Sequence, residues 1–382
     1  MPDLDSSPPV ADIPREQQAR EYESAHNRLF LIRLVLTVGA LAAYLFSGAS
    51  AQLAAGLRTR FGEAWLLVNG IYAFITIFGF AAFMFPLSVY ADHVLEHRYG
   101  LSRQSLEGWF LDYLKGLLIE LVIGVVFIEA IYVFLRYAPN LWWIWATIFY
   151  VAFAVVLTAV APVLILPLFH KFEPLQNPAL VDRVRAFAES AGLQVIGVFR
   201  WGLEEKTATG NAALTGLGRT RRIILGDTLL ERYSEEEILA ILAHEIGHYR
   251  HRDLARLIVS GSLIAAAGFF VTHRVLGFLV ARFGFAGLDD IASFPLLVFC
   301  LLLFSLVTMP VSNGYSRRRE FAADAYAVKT MGGPEPLVGA LEKLADQNLS
   351  DREPPRWIEW LLHSHPSISR RVVRAHSIAA RK

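Results

Sequence analysis

Six apolar runs divide this chain, and each is long enough to form a helix across a lipid bilayer, which takes about 20 residues. Only 19% of the residues are charged and 54% are hydrophobic, whereas soluble domains average about 25% charged residues. We therefore predict a mainly α, polytopic helical membrane protein. The runs are Leu34–Leu57, Ala64–Tyr90, Leu117–Leu135, Leu141–Phe169, Leu257–Val280 and Ile291–Tyr315.

Two long polar stretches, His170–Arg256 and Ser316–Lys382, lie on either side of the last two apolar runs. Because two spans separate them, both stretches must lie on the same side of the membrane. We expect them to form one catalytic unit. The predicted organisation is a polar N-terminal segment (1–28), a four-span membrane domain (29–169) and a second domain (170–382) interrupted by spans at about 257–280 and 291–315.

Basic residues are concentrated on the side of these polar stretches. Arg98, Lys115 and Lys171 follow the second and fourth runs, and Arg317-Arg318-Arg319 follows the sixth. The positive-inside rule then predicts a multi-pass protein with its polar unit in the cytoplasm, at the plasma membrane of a bacterium or the endoplasmic reticulum of a eukaryote. A net charge of +1 gives no reason to expect a nucleic-acid partner.

The first polar stretch mixes strand and helix patterns. A helical spacing covers Ala179–Ala191, and Val195–Trp201 is apolar and β-branched, as in a strand. Asn211–Leu217 and Arg221–Gly226 are predicted as two strands joined by a turn at Gly218-Arg219-Thr220. Helices and a small β-sheet are therefore expected in the catalytic unit.

A metal-binding motif follows these strands. Ser234 with Glu237 forms a capping box that predicts the start of a helix. On that helix His244 and His248 are four residues apart, so both imidazoles project from one face and can share one ion. Glu245 adjoins this face and is placed to take a proton from an attacking water. The motif predicts one Zn²⁺ in a zincin-like unit, although two histidines also occur by chance on surface helices.

A catalytic zinc usually has three protein ligands. The single cysteine, Cys300, lies in an apolar run, and no third histidine follows the motif closely. Glu320 is the best candidate for the third ligand, and Asp324, one helical turn further on, could hold the second nitrogen of a ligand histidine. The alternative is a solvated acidic pair that balances Arg317–Arg319.

These features resemble the zinc-dependent CAAX prenyl protease 1 family, membrane metallopeptidases that cleave prenylated C-terminal peptides. The resemblance covers most of the chain. Its further segments, in the order expected of the family, are Glu96–Leu101 with Trp109, Asp112 and Lys115-Gly116, then Pro167–Phe169 with Phe172–Leu175, Asn211-Ala212, and His365-Pro366 with Arg371.

The resemblance implies roles for individual residues. His244, His248 and Glu320 would bind zinc, with Glu245 as base and acid. Asn211 would lie beside the substrate backbone near the oxyanion, and His365 would stabilise the tetrahedral intermediate. Without the resemblance, the alternative for both is an ordinary loop or turn residue. Asp324 and Arg371 would brace the site. The implied substrate is a peptide or protein, lipidated or otherwise hydrophobic, in contact with membrane lipids.

The resemblance also implies seven spans around an internal chamber, one more than the six apolar runs. An HtpX-like quality-control protease shares the zinc motif and remains an alternative. A zinc-stabilised scaffold would have no use for Glu245. A transporter is suggested only by Glu120 and Glu129 inside the third run, where a carboxylate facing lipid is costly. We expect them to face water or a partner such as His97 or Arg136, and the alternative is neutral burial in the bundle.

Overall fold

The computed structural model describes residues 14–62, 64–216 and 221–381. Among these residues, six helices are long and apolar enough to cross a membrane, which confirms the predicted number of spans. They are α1 (Arg15–Phe46), α3 (Trp65–Val89), α5 (Leu106–Tyr137), α6 (Trp142–Val160), α10 (Asp253–Phe283) and α11 (Phe294–Met331). A π-helical turn (Tyr90–Val94) continues α3 into α4 (Leu95–Arg98).

The first span lies nearer the N-terminus than predicted. The helix α1 ends at Phe46, and Gly48 then adopts a φ of +73°, a left-handed conformation that favours glycine. A separate helix, α2 (Ala49–Phe61), follows, and at about 1.5 Å per residue it is too short to cross. The predicted run Leu34–Leu57 is wrong because it joins two helices. Residues 15–28 of the predicted polar segment belong to α1, and residues 1–13 lie outside the described part.

The spans alternate in direction, and polar contacts tie their ends together. On the side opposite the catalytic unit, Arg58 of α2 donates to Asp290 at 2.6 Å. Inside the bundle, Trp142 is fully buried and its indole N–H donates to Nδ1 of His273 at 3.0 Å. His273 is one of two polar residues, with Arg274, inside the fifth apolar run, and it therefore has a hydrogen-bond partner within the protein.

The two acidic residues of the third run do not share a partner. Glu120 is exposed, whereas Glu129 lies against Gly70 of α3, where a Cβ would stand 3.0 Å from the carboxylate. The Oε2 atom of Glu129 is buried and makes no hydrogen bond. Arg136, one partner expected for these carboxylates, instead pairs with Asp289 at 3.7 Å.

The described part of the catalytic unit contains a four-stranded sheet in the order β1-β2-β4-β3, with β2 and β4 parallel and both outer strands antiparallel. The strands are β1 (Phe172–Pro174), β2 (Val198–Trp201), β3 (Ala212–Thr215) and β4 (Arg222–Gly226). The prediction missed β1 and began β2 three residues early, at Val195, where the chain is still irregular. The predicted turn at 218–220 lies outside the described residues.

One face of the sheet packs on the helix that carries the motif. Ile223 and Leu225 of β4 share a buried core with Ile238 and Leu242 of that helix. The remaining helices are α7 (Pro178–Ser190), α8 (Asp227–Leu230), α9 (Glu235–Arg250), α12 (Glu335–Gln347), α13 (Arg356–Leu362) and α14 (Ile368–Ala379).

Candidate metal centre and catalytic cavity

The motif helix α9 begins as the sequence predicts. Ser234 accepts a hydrogen bond from the Glu237 amide, and the Glu237 carboxylate accepts one from Ser234 in return. Because His244 and His248 are one turn apart, their Nε2 atoms converge to 3.1 Å. The two rings stand at 89° to each other and present both nitrogens to one point.

The carboxylate of Glu320 reaches the same point from α11. Its Oε1 lies 3.3 Å from Nε2 of His248, and its Oε2 lies 3.4 Å from Nε2 of His244. The two helices can approach because position 247 is glycine: a Cβ there would stand 3.0 Å from the Cα of Ala323. The long helix α11 thus continues beyond its membrane-spanning part and places the Glu320 side chain next to the two histidines.

The three side chains fit a divalent metal ion. Their ligand atoms lie within 4.8 Å of one another, and the described residues contain no other such group. Glu320 is 94% buried, since its relative exposure is 6%, yet its Oε2 has no hydrogen-bond partner. A buried carboxylate oxygen is costly to leave unsatisfied, and a cation at this point would satisfy it. Two imidazoles and one carboxylate form a donor set typical of catalytic zinc.

The ring of His244 is held on its Nδ1 side by Asp324 and Arg371, the two residues that the resemblance implies. Asp324 Oδ1 lies 2.9 Å from Nδ1 of His244, and Asp324 is fully buried. Arg371 of α14 donates from Nε and Nη2 to the two oxygens of that carboxylate, at 2.9 and 2.6 Å. Burial of the ring lowers the pKa of His244, but its interactions with the carboxylates of Asp324 and Glu320 outweigh the effect of burial and raise the pKa to about 9.

The sequence analysis did not identify the residue that holds His248. Asp253 Oδ2 lies 2.9 Å from Nδ1 of His248, and Arg319 donates to Asp253 Oδ1 at 2.5 Å. Arg252 takes a left-handed conformation, with a φ of +53°, between α9 and α10. The chain changes direction there, and this places Asp253 next to His248. The one signal in the sequence was an acidic residue just after the motif, at the start of a span.

His244 and Glu320 open onto a cavity of about 620 Å³. Glu245 is half-buried in its wall, next to His244. His365 also lines the cavity, with its Nε2 at 3.4 Å from Oε1 of Glu320 and its Nδ1 hydrogen-bonded to Ser364 at 2.9 Å. Asn211 is exposed on the cavity wall immediately before β3. All eight residues selected from the sequence therefore lie in or directly behind one cavity.

The strand β3 borders this cavity, since Ala212 is part of the cavity wall. The strand β3 is an outer strand of the sheet, so one edge of its backbone has no partner strand among the described residues. Such an edge can pair with an added strand. The main chain before β3 is fixed, since the Gly226 amide donates to the Asn211 carbonyl at 2.9 Å and the Gly210 amide donates to Asn348 at 2.9 Å.

Comparison with known proteins assigns both parts of the chain. The pattern of peptidase family M48 matches residues 174–379, and that of the CAAX prenyl protease N-terminal region, described as five membrane helices, matches residues 11–171. The described part of the second match contains four candidate spans and the short helix α2.

Individual relatives cover most of the chain. An uncharacterized metalloprotease YhfN of Bacillus subtilis is 29% identical over 94% of this chain and 84% of its own length. CAAX prenyl protease 1 of Saccharomyces cerevisiae is 28% identical over 78% and 69%, and a homolog from Arabidopsis thaliana is 30% identical over 75% and 68%. The fold matches the crystal structure of S. mikatae Ste24p with a TM-score of 0.85, at 22% identity, over 98% of this chain and 92% of that one. The chain belongs to peptidase family M48 and is an integral-membrane metalloprotease of the CAAX prenyl protease type.

Proposed function

We propose that this protein is a zinc endopeptidase that hydrolyses peptide bonds close to the membrane. Prenylated CAAX-type peptides are its leading substrate class, together with other hydrophobic peptides. The observation that carries the proposal is the convergence of His244, His248 and Glu320 beside a cavity that also contains Glu245. The buried Oε2 atom of Glu320 makes no hydrogen bond there.

In this proposal His244, His248 and Glu320 hold one zinc ion per chain. When bound, such an ion supplies Lewis-acid chemistry that polarises a carbonyl group and makes water more acidic. Asp324 and Asp253 each accept a hydrogen bond from the second ring nitrogen of a ligand histidine. They fix the tautomer in which Nε2 is free to bind. Arg371 holds Asp324 in place.

The remaining residues handle protons and charge. Glu245 takes a proton from the water molecule as its oxygen attacks the peptide carbonyl carbon, and then delivers that proton to the leaving amine. The products are two peptides, with no covalent link to the enzyme. His365 and Asn211 face the cavity where negative charge develops on the carbonyl oxygen, and each can donate a hydrogen bond to it.

The relatives support the substrate class. Those from S. cerevisiae and A. thaliana are named as a CAAX prenyl protease 1 and its homolog, and the N-terminal match extends over the first four spans. An HtpX-like quality-control role is less favoured because that alternative does not account for the extended N-terminal match. In our proposal the peptide pairs with the free edge of β3, so its scissile bond lies beside the motif.

We also propose that the cavity faces the cytoplasm and that the boundary between the two domains lies at about residue 170. The basic loops on the catalytic side support this orientation. On the opposite side, Arg58 pairs with Asp290 and Arg136 pairs with Asp289. These two arginines therefore add little net positive charge to that side.

A pair of peptides tests the proposed function. Purified protein is incubated with a farnesylated CAAX peptide and with the same sequence without the lipid, and the products are identified by mass spectrometry. We expect the wild type to cleave the prenylated peptide and Glu245→Gln to cleave it about 10²–10⁴-fold more slowly. Equal cleavage of both peptides would support the peptidase activity but show that prenylation is not required. No cleavage of any hydrophobic peptide by zinc-loaded protein would overturn the proposal.

A further inference from the structure

The short helix α13 presents two tryptophans to the outside of the protein. Trp357 and Trp360 have relative exposures of 64% and 58%, unusually high for such large rings. They lie on adjacent positions of one helical face, whereas Glu359 on another face is buried. Leu362 lines the catalytic cavity, but neither tryptophan contributes to its wall. The two rings therefore point away from the cavity.

The contacts of α13 place it at the end of a membrane span. Asn313 of α11 donates to the Leu361 carbonyl at 2.8 Å, and Arg317 donates to the carbonyls of Glu359 and Trp360 at 2.9 and 3.4 Å. Two of these carbonyls, at Trp360 and Leu361, belong to the last turn of α13, where a helix leaves its carbonyls without partners of its own. A seven-residue helix is not stable alone, so α11 determines where it lies.

The level of Asn313 along α11 is that of the membrane surface. At 1.5 Å per residue, the apolar part of α11 from Phe294 to Tyr315 is about 33 Å long, close to the hydrocarbon thickness of about 30 Å. The basic residues Arg317 and Arg318 follow at once. A helix attached between Asn313 and Arg317 must lie at the boundary between lipid tails and headgroups.

We propose that α13 lies in the lipid interface, with Trp357 and Trp360 inserted among the headgroups, and that it fixes the height of the catalytic loop above the bilayer. Tryptophan favours this environment because its ring is apolar and its N–H can bond to water or headgroups. The partner is therefore the lipid of the membrane that the six helices cross. The exposed side chain of Arg356 at the start of α13 suits an anionic headgroup.

The consequence for catalysis follows from what comes next in the chain. The loop His363–Pro366 begins where α13 ends and carries His365. It is held on the inner side by Glu23 of α1, whose carboxylate lies 3.3 Å from Nε2 of His363. In our proposal the loop has a lipid-anchored helix on one side and a spanning helix on the other. The link between α13 and catalysis rests on the proposed function, whereas the contact of α13 with lipid does not.

The lipid contact is measured with nitroxide labels on single cysteines. Trp357→Cys, Trp360→Cys and Glu342→Cys are prepared in a Cys300→Ser background and reconstituted into phosphatidylcholine–phosphatidylglycerol bilayers. Glu342 is an exposed control on α12. Labels at 357 and 360 should collide more with oxygen than with a water-soluble nickel chelate, and the label at 342 should show the reverse. If the label at 360 is as accessible to nickel as the label at 342, the proposal is overturned. Labels at 357 and 360 that are shielded from both reagents would also overturn it, because protein would then cover the helix.

The effect on catalysis is tested with two double variants. Trp357→Ser with Trp360→Ser removes the anchor, and Trp357→Phe with Trp360→Phe keeps apolar rings as a matched control. In bilayers the serine pair should lose cleavage of a lipidated peptide with little loss on a short soluble peptide and an unchanged metal content. The phenylalanine pair should retain most activity. Equal losses on both substrates would show a general structural role and would overturn the link to catalysis, while the nitroxide result would still decide the lipid contact.

Discussion

Asp253 Oδ2 lies 2.9 Å from Nδ1 of His248, although the two residues belong to different helices, α9 and α10. Since α10 is the first span after the motif, this contact couples a candidate metal ligand directly to the membrane part of the protein. Arg319, next to Glu320 on α11, donates to the other oxygen of Asp253. Two spanning helices thereby fix the orientation of His248.

The first prediction concerns this contact. Asp253→Asn keeps the size of the side chain but removes its charge. Loss of such an outer partner typically lowers metal affinity by about 10–100-fold, because the ring loses orientation and basicity. Zinc titration against a competing chelator measures the change. Asp289→Asn, in the loop on the other side of the membrane, is the control and should bind zinc as wild type does. Wild-type affinity in Asp253→Asn would show that the contact does not support the ligand.

The second prediction concerns pH. In metal-free protein the pKa of His244 is raised from 6.5 to about 9, because its interactions with the carboxylates of Asp324 and Glu320 outweigh the effect of burial. A raised pKa means that the protonated ring stabilises the fold. This contribution is fully present below about pH 6.5 and is lost as the pH rises through about 9.

Two measurements follow from that sign. The apparent melting temperature of chelator-treated protein should fall between about pH 6.5 and 9. Over the same interval zinc affinity should rise, because zinc binds only the neutral ring and must displace a proton. Asp324→Asn removes one of the groups that raise the pKa, so both changes should move to lower pH. Zinc affinity that does not vary with pH in this interval would contradict the account.

The third prediction separates the base from the ligands. Glu245→Gln should retain zinc and the wild-type melting temperature but lose about 10²–10⁴-fold in peptide hydrolysis, since one carboxylate serves both proton transfers. The comparison requires equal zinc content in the two proteins. Activity within a few-fold of wild type would show that another group accepts the proton.

The fourth prediction concerns topology. In a Cys300→Ser background, single cysteines at Ala286, Glu235 and Glu342 are treated in intact cells with a membrane-impermeant thiol reagent. All three positions lie on the protein surface. Only the cysteine at 286, in the loop between α10 and α11, should react from outside. Labelling at 235 and 342 instead of 286 would invert the proposed orientation.

The residues of the site were predictable from the sequence because helix geometry and family resemblance both apply to them. The spacing of His244 and His248 gives a shared face on any helix, and Ser234 with Glu237 indicates where that helix begins. Spacing alone could not decide whether Glu320 is a metal ligand or a solvated acidic residue. What the sequence could not show is that α11 continues without a break from the span to Met331 and packs against Gly247.

The features that were missed depend on backbone conformation and on distant contacts. A single glycine, Gly48, divides one apolar run into two helices, and hydropathy does not register that change of direction. The left-handed conformation at Arg252 that returns Asp253 to His248 is rare for a residue with a Cβ, so the pattern does not predict it. The position of α13 depends on Asn313 and Arg317, which are more than 40 residues away in the chain.

The central claim is that His244, His248 and Glu320 together hold a catalytic zinc ion, and metal analysis tests it most directly. Detergent-purified wild-type protein, His244→Ala, His248→Ala and Glu320→Ala are dialysed against the same zinc-containing buffer, and zinc per chain is measured by mass spectrometry. Glu342→Ala, on the surface of α12, is the control. The account predicts about one zinc per chain in wild type and control, with its loss in all three ligand variants. Full zinc occupancy in any one of the three would contradict it.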